Sequence, residues 1–211
     1  MSRLTQELLR VFGDPPVAPR AVVRVQIGSG QDLRAGREEA DRLVDAGADL
    51  VVVDADVASP AVLAAAAALL DLEPVAVVPR ASTADWKQQV VEVRTALRLA
   101  SVYRFDPERV VEELADPVLG RLVGLLDRLT ERHTPVLLGG GTATAVAALV
   151  VSRIQPEAAR YLLAGSMPSD KTGAQALTAT RLLPLLDLGL TVGSADVAVA
   201  LVRAGLDQLG A

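Results

Sequence analysis

Apolar positions along the chain fall into two kinds of run. Leu4, Leu8, Leu9 and Phe12 recur at helical spacing before Gly13-Asp14-Pro15-Pro16 breaks the pattern. Ala21 to Ile27 is β-rich and ends at Gly28-Ser29-Gly30, Arg34 to Ala46 has helical character up to Gly47, and Asp49 to Val53 is continuously apolar up to Asp54. Further helices are predicted over Pro60 to Leu70, Asp85 to Leu99 and Thr142 to Val151, near Asp170 to Arg181, and from Ala195. Two more begin at Pro107 and Pro117, each with Asp at the N-cap and Pro in the first helical position. Short β runs are predicted at Val75 to Val78, Pro135 to Leu138, Arg160 to Ala164 and Leu185 to Leu188.

Runs that are apolar throughout suit strands buried on both faces. Their alternation with helices predicts an α/β protein, a Rossmann-like three-layer α/β/α arrangement with a mostly parallel sheet. Residues 1–20 read as an N-terminal helical extension and residues 21–211 as a single α/β domain. The helix at Leu4 to Phe12 has no evident partner in the core and is expected to pack across the two-fold axis of a dimer. Ligands of parallel sheets bind beyond the carboxyl ends of the strands. That rule selects residues 28–32, 54–60, 79–84, 139–142, 165–172 and 189–196.

Composition narrows the chemistry. With 51% hydrophobic residues in 211, a sizeable core is available and wholesale disorder is excluded. Only 2% of residues are aromatic, too few to stack single-stranded nucleic acid, and a net charge of −5 opposes phosphate-backbone binding, so no nucleic-acid partner is expected. The chain has no cysteine, which excludes disulfides, zinc ribbons and thiol catalysis, and a single histidine, His133, which excludes multi-histidine metal sites. The N-terminus lacks a signal-peptide hydrophobic region, and the longest apolar run, Pro60 to Leu70, is too short for a bilayer. A soluble cytoplasmic protein without a membrane partner is expected.

Gly139-Gly140-Gly141-Thr142 joins a β run to a helix. There the backbone can approach a ligand closely and helix-start N–H groups favour an anion; a plain tight turn explains it equally well. Gly165 to Thr172, with Ser166, Asp170 and Lys171, nears a phosphate-binding P-loop, but Asp170 stands where glycine precedes Lys-Thr and would repel phosphate; a helix N-cap is its ordinary role. Gly28-Ser29-Gly30 opens like a dinucleotide fingerprint, yet Leu33 replaces its third glycine. Asp54 and Asp56 fit Mg²⁺ or ribose hydroxyls, or solvated turn positions. His133, after a helix carrying Glu131 and Arg132, reads as structural.

Pro135-Val136-Leu137-Leu138 with the glycine turn, Tyr161 to Ala164 leading to Ala176-Leu177, and Pro184-Leu185-Leu186-Asp187-Leu188-Gly189-Leu190 before Gly193 resemble segments of nicotinate-nucleotide–dimethylbenzimidazole phosphoribosyltransferases. Asp45 to Leu50 is similar to that family's Ala-Gly-Ala-Asp-Leu segment. The resemblance covers residues 34–205, without a gap from Ala164 to Val197. It implies a dimeric Rossmann-like protein that moves phosphoribose from nicotinate mononucleotide to a benzimidazole-type base. The product is the nucleotide of the cobalamin lower loop, a carboxylate deprotonates the incoming base, and no cofactor is implied.

Departures from the family concentrate at the chemistry. The family's Gly-Glu-Gly-Thr-Gly reads Gly193-Ser194-Ala195-Asp196-Val197, so the catalytic glutamate position holds Ser194, which cannot act as a base unaided. The family's Gly-Glu-Met-Gly-Ile-Gly-Asn falls on Asp54 to Pro60, and its Gly-Arg-Gly-Thr-Gly becomes Pro79-Arg80-Ala81-Ser82-Thr83, keeping only the arginine. The chain also reads as a shortened member, without the N-terminal part that helps build the family's dimer. One expectation is a divergent transferase using Asp170 or Asp196 as the base, with Gly139 to Thr142, Arg80, Ser166, Gly193, Ser194 and Asp54 binding substrate or phosphate. A second is a non-catalytic homologue that binds a nucleotide or base, or regulates a true enzyme. A third is an unrelated α/β nucleotide-binding protein whose likeness reflects Ala-Leu-Gly bias alone.

Overall fold

The computed structural model describes residues 2–13, 16–27, 32–80, 82–186 and 194–210. Its strands are β1 (Val22–Gln26), β2 (Leu50–Asp54), β3 (Val136–Leu138), β4 (Leu162–Ser166) and β5 (Pro184–Leu186). They lie side by side in chain order and pair in parallel throughout. Right-handed crossovers that always advance in one direction place their helices on one face of the sheet. Those helices are α2 (Leu33–Asp45), α3 (Pro60–Leu70), α4 (Pro74–Val77), α5 (Thr83–Ala100), α6 (Pro107–Leu114), α7 (Pro117–Glu131), α8 (Thr142–Ile154) and α9 (Lys171–Ala179). The opposite face is covered by the helices outside any crossover, α1 (Arg3–Phe12) and α10 (Ser194–Gln208).

Strand alternation divides the core between these layers. Val51, Val53, Val136, Leu138, Leu162 and Ala164 pack beneath the crossover helices. Leu50, Val52, Leu137 and Leu163 point the other way, onto Leu8 and Val11 of α1 and Ala198, Val202 and Leu206 of α10. The N-terminal helix therefore does have a partner in its own core, contrary to expectation. Leu8 is fully buried, and a side chain at Gly205 would collide with it. The three-layer α/β/α expectation itself holds, with a sheet that is parallel throughout.

Helix starts follow the sequence closely. Ser59, Ser82, Asp106, Asp116 and Asp170 each accept a backbone N–H three residues on, as does Asp32 ahead of α2. The predicted strand at Val75 to Val78 is overturned: Pro74–Val77 is a short helix. Pro74 opens that turn at its first position, and Val77 and Val78 bury against Leu63, Ala64, Ala67, Val90 and Val93 of α3 and α5. Packing against two helices overrides the β preference of the valines.

Buried Asp127 of α7 accepts hydrogen bonds from Arg37 of α2 (2.7 and 3.1 Å) and from Gln155 after α8 (2.5 Å). Glu108 of α6 takes a further bond from Arg37 (3.0 Å). Removing the carboxylate leaves the guanidinium and amide without their shared acceptor, although Arg37 still reaches solvent. Asp127→Ala is expected to lower unfolding free energy by about 2 kcal/mol. Urea denaturation is the check, and an unchanged midpoint would contradict it.

Candidate active site at the carboxyl rim

The carboxyl ends of the central strands carry most of the polar residues singled out in the sequence. Val53 of β2 pairs with Leu138 of β3, so Asp54 and Gly139 follow side by side. The Gly139 N–H donates to the Val53 carbonyl (2.7 Å). A Cβ at Gly139 would overlap the Asp54 carboxyl group, and one at Gly141 would overlap the Ala55 carbonyl. The backbone at Gly141 has an ordinary φ of −81°. These two glycines are thus required by the approach of the β2–α3 segment. Thr144 of α8, fully buried, accepts the Ala55 N–H (2.9 Å) and fixes that segment against the glycine turn.

Asp54 is exposed at its outer side, but its surroundings withhold enough water to raise its carboxyl above the ordinary aspartate range. Asp56 raises it further, and Arg24 of β1 opposes the shift. Asp54 has no hydrogen-bond or ion-pair partner among the described residues.

Asp170 is differently placed. It caps α9 by accepting the Gly173 N–H (2.8 Å) and also accepts the hydroxyl of buried Thr142 at the start of α8. The P-loop-like stretch is therefore a helix cap, and the α8 start it faces has Gly141 at its N-cap with no side-chain cap. Thr172 donates to the Val77 carbonyl (2.8 Å), closing one side of a cleft of about 440 Å³ lined by Val78, Pro79, Arg80, Asp170 and Lys171. Arg80 reaches the rim from the coil after α4; no strand precedes it. Ser166 ends β4 with only 4% of its surface exposed, and its Oγ has no partner among the described residues.

Asp196 stands apart from Asp170. In the first turn of α10, 72% of its side chain is exposed, and it pairs with Arg24. Ser194 heads α10, while Gly193 and the Gly28-Ser29-Gly30 stretch lie outside the described residues. His133 takes a left-handed conformation (φ 56°) after α7 and stacks on Tyr161 at 5.0 Å, a structural role. The positions that sequence reasoning passed over are Thr144 and Arg24, both of which act through partners distant in the chain.

A parallel three-layer sheet whose carboxyl rim carries a glycine turn, the Asp54 carboxylate and a polar cleft is the arrangement in which α/β proteins bind small ligands. The chain belongs to the phosphoribosyltransferase family: the family profile DBI_PRT, described as phosphoribosyltransferase, matches residues 28–209. The nicotinate-nucleotide–dimethylbenzimidazole phosphoribosyltransferase of Corynebacterium glutamicum (strain ATCC 13032) is 34% identical over 185 residues, which is 84% of this chain and 51% of that protein. The protein of the same name from Mycobacterium tuberculosis (strain H37Rv) is 36% identical over 187 residues, again 84% of this chain and 51% of the relative. The crystal structure of CobT from Thermus thermophilus superposes with a TM-score of 0.73 at 31% identity, covering 84% of this chain and 55% of that one. The chain spans about half the length of the curated relatives it matches. Similarity of this extent overturns the reading of chance compositional bias. Among the described residues, no helix is long and apolar enough to cross a membrane.

Proposed function

We propose that the chain is a phosphoribosyltransferase of the cobalamin lower-ligand pathway, moving phosphoribose from nicotinate mononucleotide to a benzimidazole-type base. The observation that carries this reading is the gathering of Asp54, the glycine turn and the Thr142–Asp170 pair at the carboxyl rim of a chain in this family. The start of α8, without a side-chain cap, offers N–H groups to the phosphate, with Gly140, Thr142 and Ser166 around it and Arg80 and Lys171 beside Asp170 to offset its carboxylate. Arg80 and Lys171 add positive charge across the cleft. Gly193 and Ser194 belong to the substrate side in the same reading. A homodimer acting in the cytoplasm completes it.

A second reading, a homologue that binds these ligands without turnover, draws on two observations. Ser194 occupies the family's glutamate position, and the carboxylates nearest in the alignment, Asp170 and Asp196, are engaged as a helix cap and an ion pair. Calorimetry with nicotinate mononucleotide and dimethylbenzimidazole, separately and together, distinguishes the two. Sustained heat with chromatographically detected nicotinate is the expected result. Saturable binding without nicotinate release establishes the second reading, and no heat from either ligand removes both. Under either reading, Gly140→Val is expected to abolish ligand binding by placing a branched side chain where the backbone meets the ligand. Unchanged affinity would exclude the glycine turn from the site.

A further inference from the structure

Resting on the transferase reading, we infer that Asp54 accepts the proton of the incoming base, taking over the duty of the family's glutamate at position 194. Strand alternation carries this assignment. Val53 faces the crossover helices and Leu50 and Val52 face α1 and α10, so Asp54 projects onto the α10 side. Gly139 follows Leu138 on the neighbouring strand, and its missing Cβ leaves the space the Asp54 carboxyl group fills. Arg24 links this corner to the first turn of α10, because it pairs with Asp196 while acting on Asp54. Arg24 thus joins the carboxylate at the end of β2 to the first turn of α10, the helix that Ser194 opens.

The other candidates are committed elsewhere. Both oxygens of Asp170 accept hydrogen bonds, and Asp196 is paired with Arg24 at the surface. Among the described residues, no group bonds to the Asp54 carboxylate. In the transfer step, the unprotonated ring nitrogen of the benzimidazole donates its lone pair to ribose C1′. The C1′–nitrogen bond to nicotinate breaks with its electron pair staying on the pyridine nitrogen. The N–H proton of the new benzimidazolium then passes to the Asp54 carboxylate. Among the described residues the charged groups facing Asp54 are Asp56, which holds its proton affinity up, and Arg24, which lowers it. The base must be ionised to work, so kcat falls as pH drops through a limb lying above the ordinary aspartate value of about 3.9.

The test compares wild type with Asp54→Asn, Asp54→Glu and Asp196→Asn, reading nicotinate release against pH and dimethylbenzimidazole affinity by titration. Asp54→Asn is expected to lower kcat about a hundredfold, to change KM for nicotinate mononucleotide less than threefold and to erase the acid limb. Asp54→Glu recovers part of the rate. Asp196→Asn stays active and moves the limb to lower pH, because Arg24 is freed to favour ionised Asp54. Wild-type kcat in Asp54→Asn overturns the assignment while leaving the transferase reading intact. If the wild type binds the base without turnover, that reading fails alone, and a tenfold weaker base affinity in Asp54→Asn still supports Asp54 as the group facing the N–H. Equal affinity overturns it.

Discussion

Gly124→Val is expected to lower the unfolding free energy by about 3 kcal/mol or more and to reduce Tm by roughly 6–12 °C. Helices α2 and α7 meet through glycines, and a Cβ at Gly124 would overlap the Leu33 carbonyl oxygen and lie 2.8 Å from its carbon. Gly36 approaches the Arg121 carbonyl and the Leu125 N–H in the same way from the opposite side. The obstructing atoms are backbone, so relief requires the helix axes to part. That separation would open the packing of Leu122, Leu125 and Leu126, all fully buried. It would also stretch the Arg37–Asp127 bonds and the Arg121–Glu39 pair (2.7 Å), which bridge the same two helices. Replacing a mid-helix glycine recovers at most about 1 kcal/mol of helix propensity, too little to offset the collision. Gly120 supplies the internal comparison. Its Cβ would come no nearer than 3.2 Å to the Leu33 nitrogen, so Gly120→Ala is expected to be nearly neutral. Equal thermal shifts for the two positions would show that helix propensity, and not interhelical approach, governs this interface.

The same distinction explains which parts of the protein were legible in its sequence. Pro60–Leu70 forms with the bounds read from the sequence, and Asp106-Pro107 and Asp116-Pro117 start helices as their chemistry requires. These signals are local: a side-chain acceptor and a fixed φ act within one turn. Val75 to Val78 misleads because its valines favour a strand in isolation, whereas burial against α3 and α5 decides the outcome. The partner of α1 was hidden for a related reason. Sequential strand order leaves one sheet face uncovered by crossovers, and neither that order nor the vacancy is written in any single segment. The glycine turn and the strand-end position of Asp54 were visible, but their meaning was not. Asp196 carries a sequence-based case as a base, yet Arg24, 172 residues away in the chain, pairs with it. The raised proton affinity of Asp54 likewise depends on neighbours from other segments.

Gly139→Ala and Gly141→Ala are expected to fail differently, although they are two residues apart in one turn. At Gly141 a Cβ meets the Ala55 carbonyl and, at 2.7 Å, the Asp56 nitrogen, and Thr144 of the helix that Gly141 caps holds that segment in place. The backbone cannot yield without breaking the buried Thr144 bond, so Gly141→Ala is expected to cost about 3 kcal/mol of stability. At Gly139 the atoms in the way are the Asp54 carboxyl group, which can turn toward solvent, and the Asp54 Cβ at 2.7 Å, which the β2 backbone holds in place. Gly139→Ala is therefore expected to cost about 2 kcal/mol while moving the carboxylate off the position it holds over β3. If that position serves proton transfer, kcat falls at least tenfold at temperatures where the variant remains folded, and the loss does not add to that of Asp54→Asn. Thermal melts with nicotinate-release assays on the two single variants and on the Gly139→Ala/Asp54→Asn double variant close the cycle. Additive losses in the double variant would mean that Gly139 serves the ligand directly and does not work through Asp54. Non-additive losses would locate its contribution in the carboxylate beside it.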